Sequence, residues 1–419
     1  MNALDRQRQI YLEGASGRLP RIPVDADRLE QAARARMSQQ AAAYVIGGAG
    51  RGATIDRNRA AFDPFPIVPR MLRDVSGRDL RISLFSRTLP APLLLAPIGV
   101  LEMAHPEADT AVGRAAANLG IPFIFSNQAS VPMEQVAAVM ADAPRWFQLY
   151  WSKSDELIAS FVGRAETCGC EAIVLTLDTT LLGWRTQDLD LAHLPFLRGM
   201  GIAQYTSDPV FQRLLDEPDP GPMPRRIITT DAIRTLIQST RRYPGPGFFG
   251  KLRSGRPLAA VRKFVNIYSN PALTWDHLSY LRNLTRLPIL LKGILHPDDA
   301  RKALDYGMDG LIVSNHGGRQ VDGAISTLEA LPGVVKAVGG RVPVLLDGGV
   351  RGGADAFKAL ALGATAVCLG RPYVYGLALA GAAGVREVLL NFLADFELTM
   401  ALAGCRSVAE ISETCLYKR

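Results

Sequence analysis

The chain has 419 residues, 48% hydrophobic and 21% charged, with 47 Lys and Arg against 40 Asp and Glu for a formal net charge of +7. That is ordinary globular composition and excludes a disordered, collagen-like or low-complexity chain. The length fits either two or three domains or one α/β barrel of about 250 residues with additions.

From the N-terminus, Met1 to Arg8 carry charges with no apolar stretch behind them, so no secretory leader is expected. Asp25 to Tyr44 reads as a helix and leads into a glycine-rich turn, Gly47-Gly48-Ala49-Gly50. Short apolar runs bounded by turn residues then recur: Leu93–Ala96, Phe123–Phe125, Trp146–Tyr150, Ala172–Leu177, Pro288–Leu291, Leu311–Val313, Val342–Leu346 and Ala366–Leu369. Continuous runs of this length are what strands buried on both faces look like. The segments between them, such as Glu107 to Leu119 and Gly353 to Leu362, are helical in composition. Eight such units predict a (β/α)8 TIM barrel as one domain over residues 1–419. A doubly wound sheet would need an early GxGxxG, which does not follow the first run.

The spacing breaks once. From Ala172 to Pro288 the gap is 116 residues, against 23 to 31 elsewhere. Thr230 to Ser239 reads as a helix inside it, so residues 186–287 are expected to be an inserted lid at the carboxyl end of the barrel. Residues 1–90 form an N-terminal extension. The longest apolar runs, such as Ala91 to Leu101, are too short and too broken by Pro and Gly to span a bilayer. Five cysteines (Cys168, Cys170, Cys368, Cys405, Cys415) cannot all pair and make no CxxC, which points to a reducing, cytoplasmic setting without a metal site.

Chemistry in such barrels sits where strands end. The eight runs end, in order, at Ala96-Pro97-Ile98-Gly99, at Ser126, at Gln148 and Tyr150, and at Thr176 and Asp178 with Arg185 beyond. The remaining ends are Lys292, Ser314-Asn315-His316-Gly317-Gly318-Arg319, Asp347-Gly348-Gly349-Val350-Arg351 and Gly370-Arg371. Eight polar or small ends in the same relative place make a ring around one pocket. Glycines with Arg351, then Gly370-Arg371 in the next unit, match the recurring barrel phosphate site. Taken alone, Asp347-Gly348-Gly349 is equally a tight turn. His316, between a buried strand and two glycines, is placed as a base, with Arg319 near enough to hold a carboxylate and Asp178 able to orient it. No serine stands in a nucleophile elbow, and no nucleic-acid motif occurs.

The ordered motifs Ser314 to Gln320, Asp347 to Arg351, Gly370-Arg371-Pro372 and Glu397 to Cys405 resemble the FMN-dependent α-hydroxy-acid oxidase/dehydrogenase family. The resemblance runs from about Ala41 to the end of the chain. It implies FMN against Ala96, Pro97, Ile98 and Gly99, with polar contacts from Ser126, Gln148, Thr176 and Ser314. Lys292 would lie by the flavin N1/C2 carbonyl, and Asp347, Gly348, Gly349, Arg351, Gly370 and Arg371 would complete the cofactor site. It further implies a substrate carboxylate clamped by Arg185 and Arg319. Tyr44 and Tyr150 would bond that carboxylate or the hydroxyl, His316 would be the base backed by Asp178, and electrons would pass to flavin N5. The expected partners are a small 2-hydroxy acid and O2, in a homotetramer.

Gly99, Trp184 and the stretch Gly201 to Phe211 are similar to the lactate 2-monooxygenase branch. The insert is longer than expected for that branch, which implies a bulkier substrate than lactate. Other readings are a membrane-associated, quinone-linked lactate or mandelate dehydrogenase and a non-redox FMN isomerase. The net charge has one address. Between Arg225 and Lys263 lie ten basic residues (Arg225, Arg226, Arg234, Arg241, Arg242, Lys251, Arg253, Arg256, Arg262, Lys263) and one acid, Asp231, leaving −2 for the rest. This stretch reads as a solvated loop, a steering field for an anionic substrate, or a peripheral membrane contact.

Overall fold

The computed structural model describes residues 3–217 and 228–417. A hairpin of β1 (Ile82–Leu84) and β2 (Arg87–Leu89) precedes eight barrel strands: β3 (Leu93–Leu95), β4 (Phe123–Phe125), β5 (Arg145–Leu149), β6 (Ile173–Thr176), β7 (Ile289–Ile294), β8 (Gly310–Val313), β9 (Val344–Leu346) and β10 (Ala366–Leu369). The last eight are parallel, pair in chain order and close through β10 onto β3, giving the expected (β/α)8 barrel.

Side chains alternate across the barrel wall. Leu94, Ile124, Trp146, Val174, Leu290, Ile312, Leu345 and Cys368 belong to one inner cluster. Their neighbours Leu93, Phe123, Phe147, Ile173 and Leu311 belong to the cluster shared with the surrounding helices. That is the period of two a strand imposes. The hairpin, not anticipated from sequence, adds Leu84 and Leu89 to the inner cluster and packs Phe85 on Trp146 at 5.7 Å. It stoppers the amino-terminal end of the barrel.

The expected helix Asp25–Tyr44 is two helices, Ala26–Arg36 and Gln39–Ile46. Ser38 breaks it: its hydroxyl accepts from the Ala41 N–H at 3.2 Å and starts a new helix, as Ser does at an N-cap. The break aims Tyr44 and the glycine turn at the barrel mouth, where the Ala49 N–H donates to the Gly318 carbonyl at 2.9 Å. The extension is therefore a wall of the site. Arg371–Leu402 is long and apolar enough to cross a bilayer by length and composition. It breaks at Ala380 and Gly381 and packs on helices Ala108–Leu119 and Ala26–Arg36, as a core helix does.

Among the described residues, the segment between β6 and β7 is largely helical and has its own aromatic core. Tyr205 meets Phe264 edge-on at 4.7 Å, and Phe264 stacks on Tyr268 at 5.0 Å. The expected helix at 230–239 continues to Arg242, joined by Phe248–Ser254, Arg256–Ile267 and His277–Leu284. Arg242 pairs with Glu102 at 2.6 Å and Asp208 with Arg164 at 2.9 Å, fastening the insert to the barrel. Arg225 and Arg226 lie outside the described residues.

Candidate active site

The alternation that fills the barrel also builds its mouth. Two residues past each inner apolar side chain stands the next inward position: Ala96, Ser126, Gln148, Thr176, Lys292, Ser314, Asp347 and Gly370. Six of these eight are polar and all six are buried. A dry, hydrogen-bonding floor under one opening is what a ligand site requires and what a core does not.

Above this floor is a cavity open at the barrel mouth, a concave opening with a few convergent polar groups as small-molecule sites have. Ala96 to Gly99 form one wall, and Gly348 to Arg351 with Gly370 and Arg371 form one end. Tyr44, Tyr150, Arg185, Lys292, His316 and Arg319 face it elsewhere. Ser126, Gln148, Thr176 and Ser314 belong to the floor beneath this lining, and Asp178 stands behind His316.

His316 follows β8 in a left-handed conformation (φ 56°), as do Gly317 and Gly318 (φ 61° and 76°). Glycine adopts this freely, whereas a residue with a Cβ costs of order 1 kcal/mol or more there. His316 is held in it by its own N–H donating to Ser314 Oγ at 3.1 Å and by Nδ1 at 2.8 Å from Asp178 Oδ1. Because an ionised carboxylate only accepts, Nδ1 carries the proton, leaving Nε2 as the base. Burial alone would raise the Asp178 pKa, but the charges of His316 and Lys292 outweigh it and hold the carboxyl at about 2. Burial pushes the His316 pKa below its ordinary value despite Asp178, with Lys292 and Arg185 adding to the depression. The imidazole is thus neutral and ready to accept a proton.

Lys292 lies 3.2 Å from Asp347 and donates to Ser314 Oγ at 2.9 Å. Burial favours its neutral form, yet Asp347 and Asp178 raise its pKa above the ordinary lysine value. It stays a cation.

Arg185 is buried, with its guanidinium 3.3 Å from the Arg319 carbonyl and 3.2 Å from Gln320 Oε1. Arg319 lies over the Tyr44 ring at 4.9 Å and donates to the Tyr44 and Gly47 carbonyls. Among the described residues neither arginine has an ion-pair partner. Burial, then the neighbouring Arg185, depress the Arg319 pKa. A guanidinium keeps its proton at neutral pH even so, and an arriving anion relieves the repulsion.

The phosphate end differs in one respect from the expectation. The Arg371 guanidinium does not reach out towards a phosphate. It donates to the carbonyls of Val45 (3.0 Å), Gly317 (2.9 Å) and Gly47 (3.0 Å), tying the extension to the His316 loop. What Gly370-Arg371 offers an anion here is backbone N–H at the start of a helix. The Arg351 guanidinium is less committed, donating to the Val350 carbonyl at 3.2 Å. Gly349 (φ 83°) has no room for a side chain, since a Cβ would stand 2.2 Å from the Asn58 carbonyl.

Asn58 was not legible in sequence. It exchanges amide hydrogen bonds with Asn315 at 2.9 and 2.8 Å, joining helix Ala53–Ala60 to the histidine loop. Nor were Gln128, Thr179, Leu182, Phe196 and Tyr268, which also line the cavity. Gln128 alone had a signal, standing two residues past Ser126 at the end of β4.

Three buried atoms of the floor, Gln148 Nε2, Thr176 Oγ1 and Asp347 Oδ1, have no hydrogen-bond partner. Buried polar atoms are normally satisfied, and these supply the donors and acceptors a flavin's pyrimidine edge and ribityl chain need. The residues present fit a flavin mononucleotide, with its phosphate at the Arg351 end. Fold and site together define a flavin-dependent barrel oxidoreductase. The chain belongs to the FMN-dependent dehydrogenase family, whose model matches residues 33–418, and FMN is its cofactor. It is similar to L-lactate oxidase of Lysinibacillus sphaericus, at 41% identity covering 98% of this chain and 96% of that protein. It is also similar to an FMN-dependent alpha-hydroxy acid dehydrogenase of Penicillium citrinum, at 40% identity over 98% and 95%. Among solved structures, mandelate oxidase superposes with a TM-score of 0.75 at 34% identity, covering 95% of this chain and 98% of that one. Relatives that align nearly end to end remove the argument that an unusually long insert implies a bulkier substrate. The chain is an FMN-dependent 2-hydroxy-acid oxidoreductase.

Proposed function

We propose that this enzyme oxidises an (S)-2-hydroxy acid and passes the electrons to O2, releasing the 2-oxo acid and hydrogen peroxide. The observation that carries this is the 2.8 Å His316–Asp178 pair in one cavity with the Arg185 and Arg319 guanidiniums, neither of which makes an ion pair among the described residues. Arg185 and Arg319 take the substrate carboxylate. Tyr44 and Tyr150, both with pKa raised by burial, stay protonated and donate to the carboxylate or hydroxyl. His316 Nε2 receives the proton that substrate oxidation releases, and Asp178 stabilises the imidazolium. FMN, when bound, supplies the two-electron acceptor. Lys292 sets a fixed positive charge beside the flavin-facing floor, where negative charge develops on reduction. The similarity to proteins named as lactate, 4-hydroxymandelate and (S)-2-hydroxy-acid oxidases supports O2 as the acceptor.

A second reading follows from the insert. Phe196 and Tyr268 reach from it into the cavity lining, and a cover of this kind favours holding the 2-oxo acid while peroxide forms. Peroxide then removes the carboxyl as CO2, leaving the shortened acid and water, as in lactate 2-monooxygenase chemistry. Product analysis under air with L-lactate and larger (S)-2-hydroxy acids tests both. Keto acid with peroxide supports oxidase, shortened acid with CO2 supports monooxygenase, and dye reduction without O2 uptake supports a quinone-linked dehydrogenase.

The same proposal includes assembly and setting. Val68, Met71, Leu72 and Tyr417 form exposed apolar surface that supports association of copies, in keeping with a homotetramer. Exposed Ile228, Ile233 and Phe249, in the same inserted segment as exposed Arg241 and Arg253, support peripheral contact with an anionic membrane, read by sedimentation with anionic vesicles. Five free cysteines accord with a cytoplasmic setting.

A further inference from the structure

One wall of the cavity holds no group that moves a proton or binds the carboxylate in the chemistry described above. Gln128 is 8% exposed and lines the cavity, and among the described residues its carboxamide has no hydrogen-bond partner. Its backbone is clamped: its N–H donates to Ser126 Oγ at 3.0 Å and its carbonyl accepts from the Val100 N–H at 2.9 Å. Glycines press on it from both sides. A Cβ on Gly99 would stand 2.9 Å from Gln128 Cβ, and one on Gly201 would stand 3.0 Å from the Gln128 carbonyl. The same Cβ on Gly201 would lie 3.2 Å from the Phe196 ring, which tilts against Tyr268 at 6.1 Å. Gln128, Phe196 and Tyr268 all line the cavity, two aromatic rings and one unpaired carboxamide, with Gly201 between the Gln128 backbone and the Phe196 ring.

We infer that this surface reads the substrate's side chain, and that the preferred 2-hydroxy acid carries a flat apolar side chain ending in a hydrogen-bonding group, such as a phenol. A methyl group, as in lactate, meets neither the rings nor the carboxamide, and an apolar side chain that fills the space buries the carboxamide unpaired. A site built around such a group discriminates strongly against analogues that lack the partner, whereas a purely apolar pocket tells a hydroxyl from its absence poorly. Gln128 is on this account the specificity-determining residue, and the Tyr268 hydroxyl, also without a partner among the described residues, is its companion. The inference rests on the 2-hydroxy-acid reading of the site.

The test compares kcat/KM for (S)-4-hydroxymandelate over (S)-mandelate, and for (S)-2-hydroxy-3-(4-hydroxyphenyl)propanoate over its phenyl analogue, in the FMN-loaded wild type, Gln128→Leu and Tyr268→Phe. Flavin content and anaerobic flavin bleaching are read in parallel. At least one wild-type ratio should be roughly tenfold or more and should fall to within about twofold of one in Gln128→Leu, with a partial fall in Tyr268→Phe. Wild-type ratios near one, or a ratio that both variants leave unchanged, overturn the inference while the parent reading stands. If none of the acids bleaches the wild-type flavin, the parent reading falls and takes this inference with it. Should Gln128→Leu lose FMN, the Tyr268→Phe ratio decides.

Discussion

The barrel mouth and the basic insert are the two places where this chain concentrates positive charge, and they use it in opposite ways. In the insert, charge is partly neutralised: among the described residues Arg242 pairs with Glu102, Arg256 with Asp216 and Arg234 with Asp231, while Lys251 donates to the Tyr243 carbonyl. Arg241 and Arg253 are without a partner among the described residues, and both are exposed. At the mouth, Arg185 is buried with Arg319 beside it, and neither makes an ion pair among the described residues, Asp188 being the nearby acid that partly offsets both. Counting charges in the sequence pointed to the insert, yet the informative quantity is charge drawn out of water beside the catalytic pair and free of direct ion pairs, and that lies at the mouth. The +7 is chiefly a property of a helical cover, only part of whose cations are ion-paired among the described residues.

The sharpest way to break this contrast is at His316. His316→Gln should leave FMN bound and lower turnover by roughly 10²–10⁴-fold, read as steady-state O2 consumption. Next is the arginine pair. Arg185→Met or Arg319→Met removes a charged hydrogen bond worth about 1.5–3 kcal/mol, so kcat/KM should fall about 10–150-fold. The loss should appear in KM for the acid as well as in kcat. The pH profile gives a smaller, graded effect. The neutral imidazole is the working form and burial lowers its pKa, so kcat/KM should fall towards acid with a midpoint below about 6.5. Asp178, at about 2, stays ionised throughout that range. Asn58→Ala, which unties the extension from the histidine loop, should cost about 1–3 kcal/mol in urea unfolding of the apoprotein. At the small end, replacing Arg241 and Arg253 together by Gln should shift stability by no more than about 0.5 kcal/mol. It should leave kcat/KM at moderate salt nearly unchanged; a large loss would restore the insert as a steering surface.

Much of the mouth was legible because strand parity and strand ends are written locally. Buried runs such as Phe123–Phe125 and Ala366–Leu369 are followed at once by the residues they aim, Ser126 and Gly370-Arg371. The walls were less so. Asn58, Phe196 and Tyr268 reach the site through contacts far along the chain, and no local period marks them. The Arg371 guanidinium shows the limit from the other side: its motif matches a phosphate site, but three carbonyls brought in by the extension and the histidine loop take its donors. Likewise Ser38 divided a helix that apolar spacing alone reads as continuous, and that division is what delivers Tyr44 to the cavity.

The most direct test of the central claim is anaerobic stopped-flow mixing of the FMN-loaded wild type and His316→Gln with an (S)-2-hydroxy acid, following flavin absorbance. The account predicts bleaching in the wild type and a rate lower by roughly 100-fold or more in the variant with FMN still bound. Equal bleaching rates in the two proteins would contradict it.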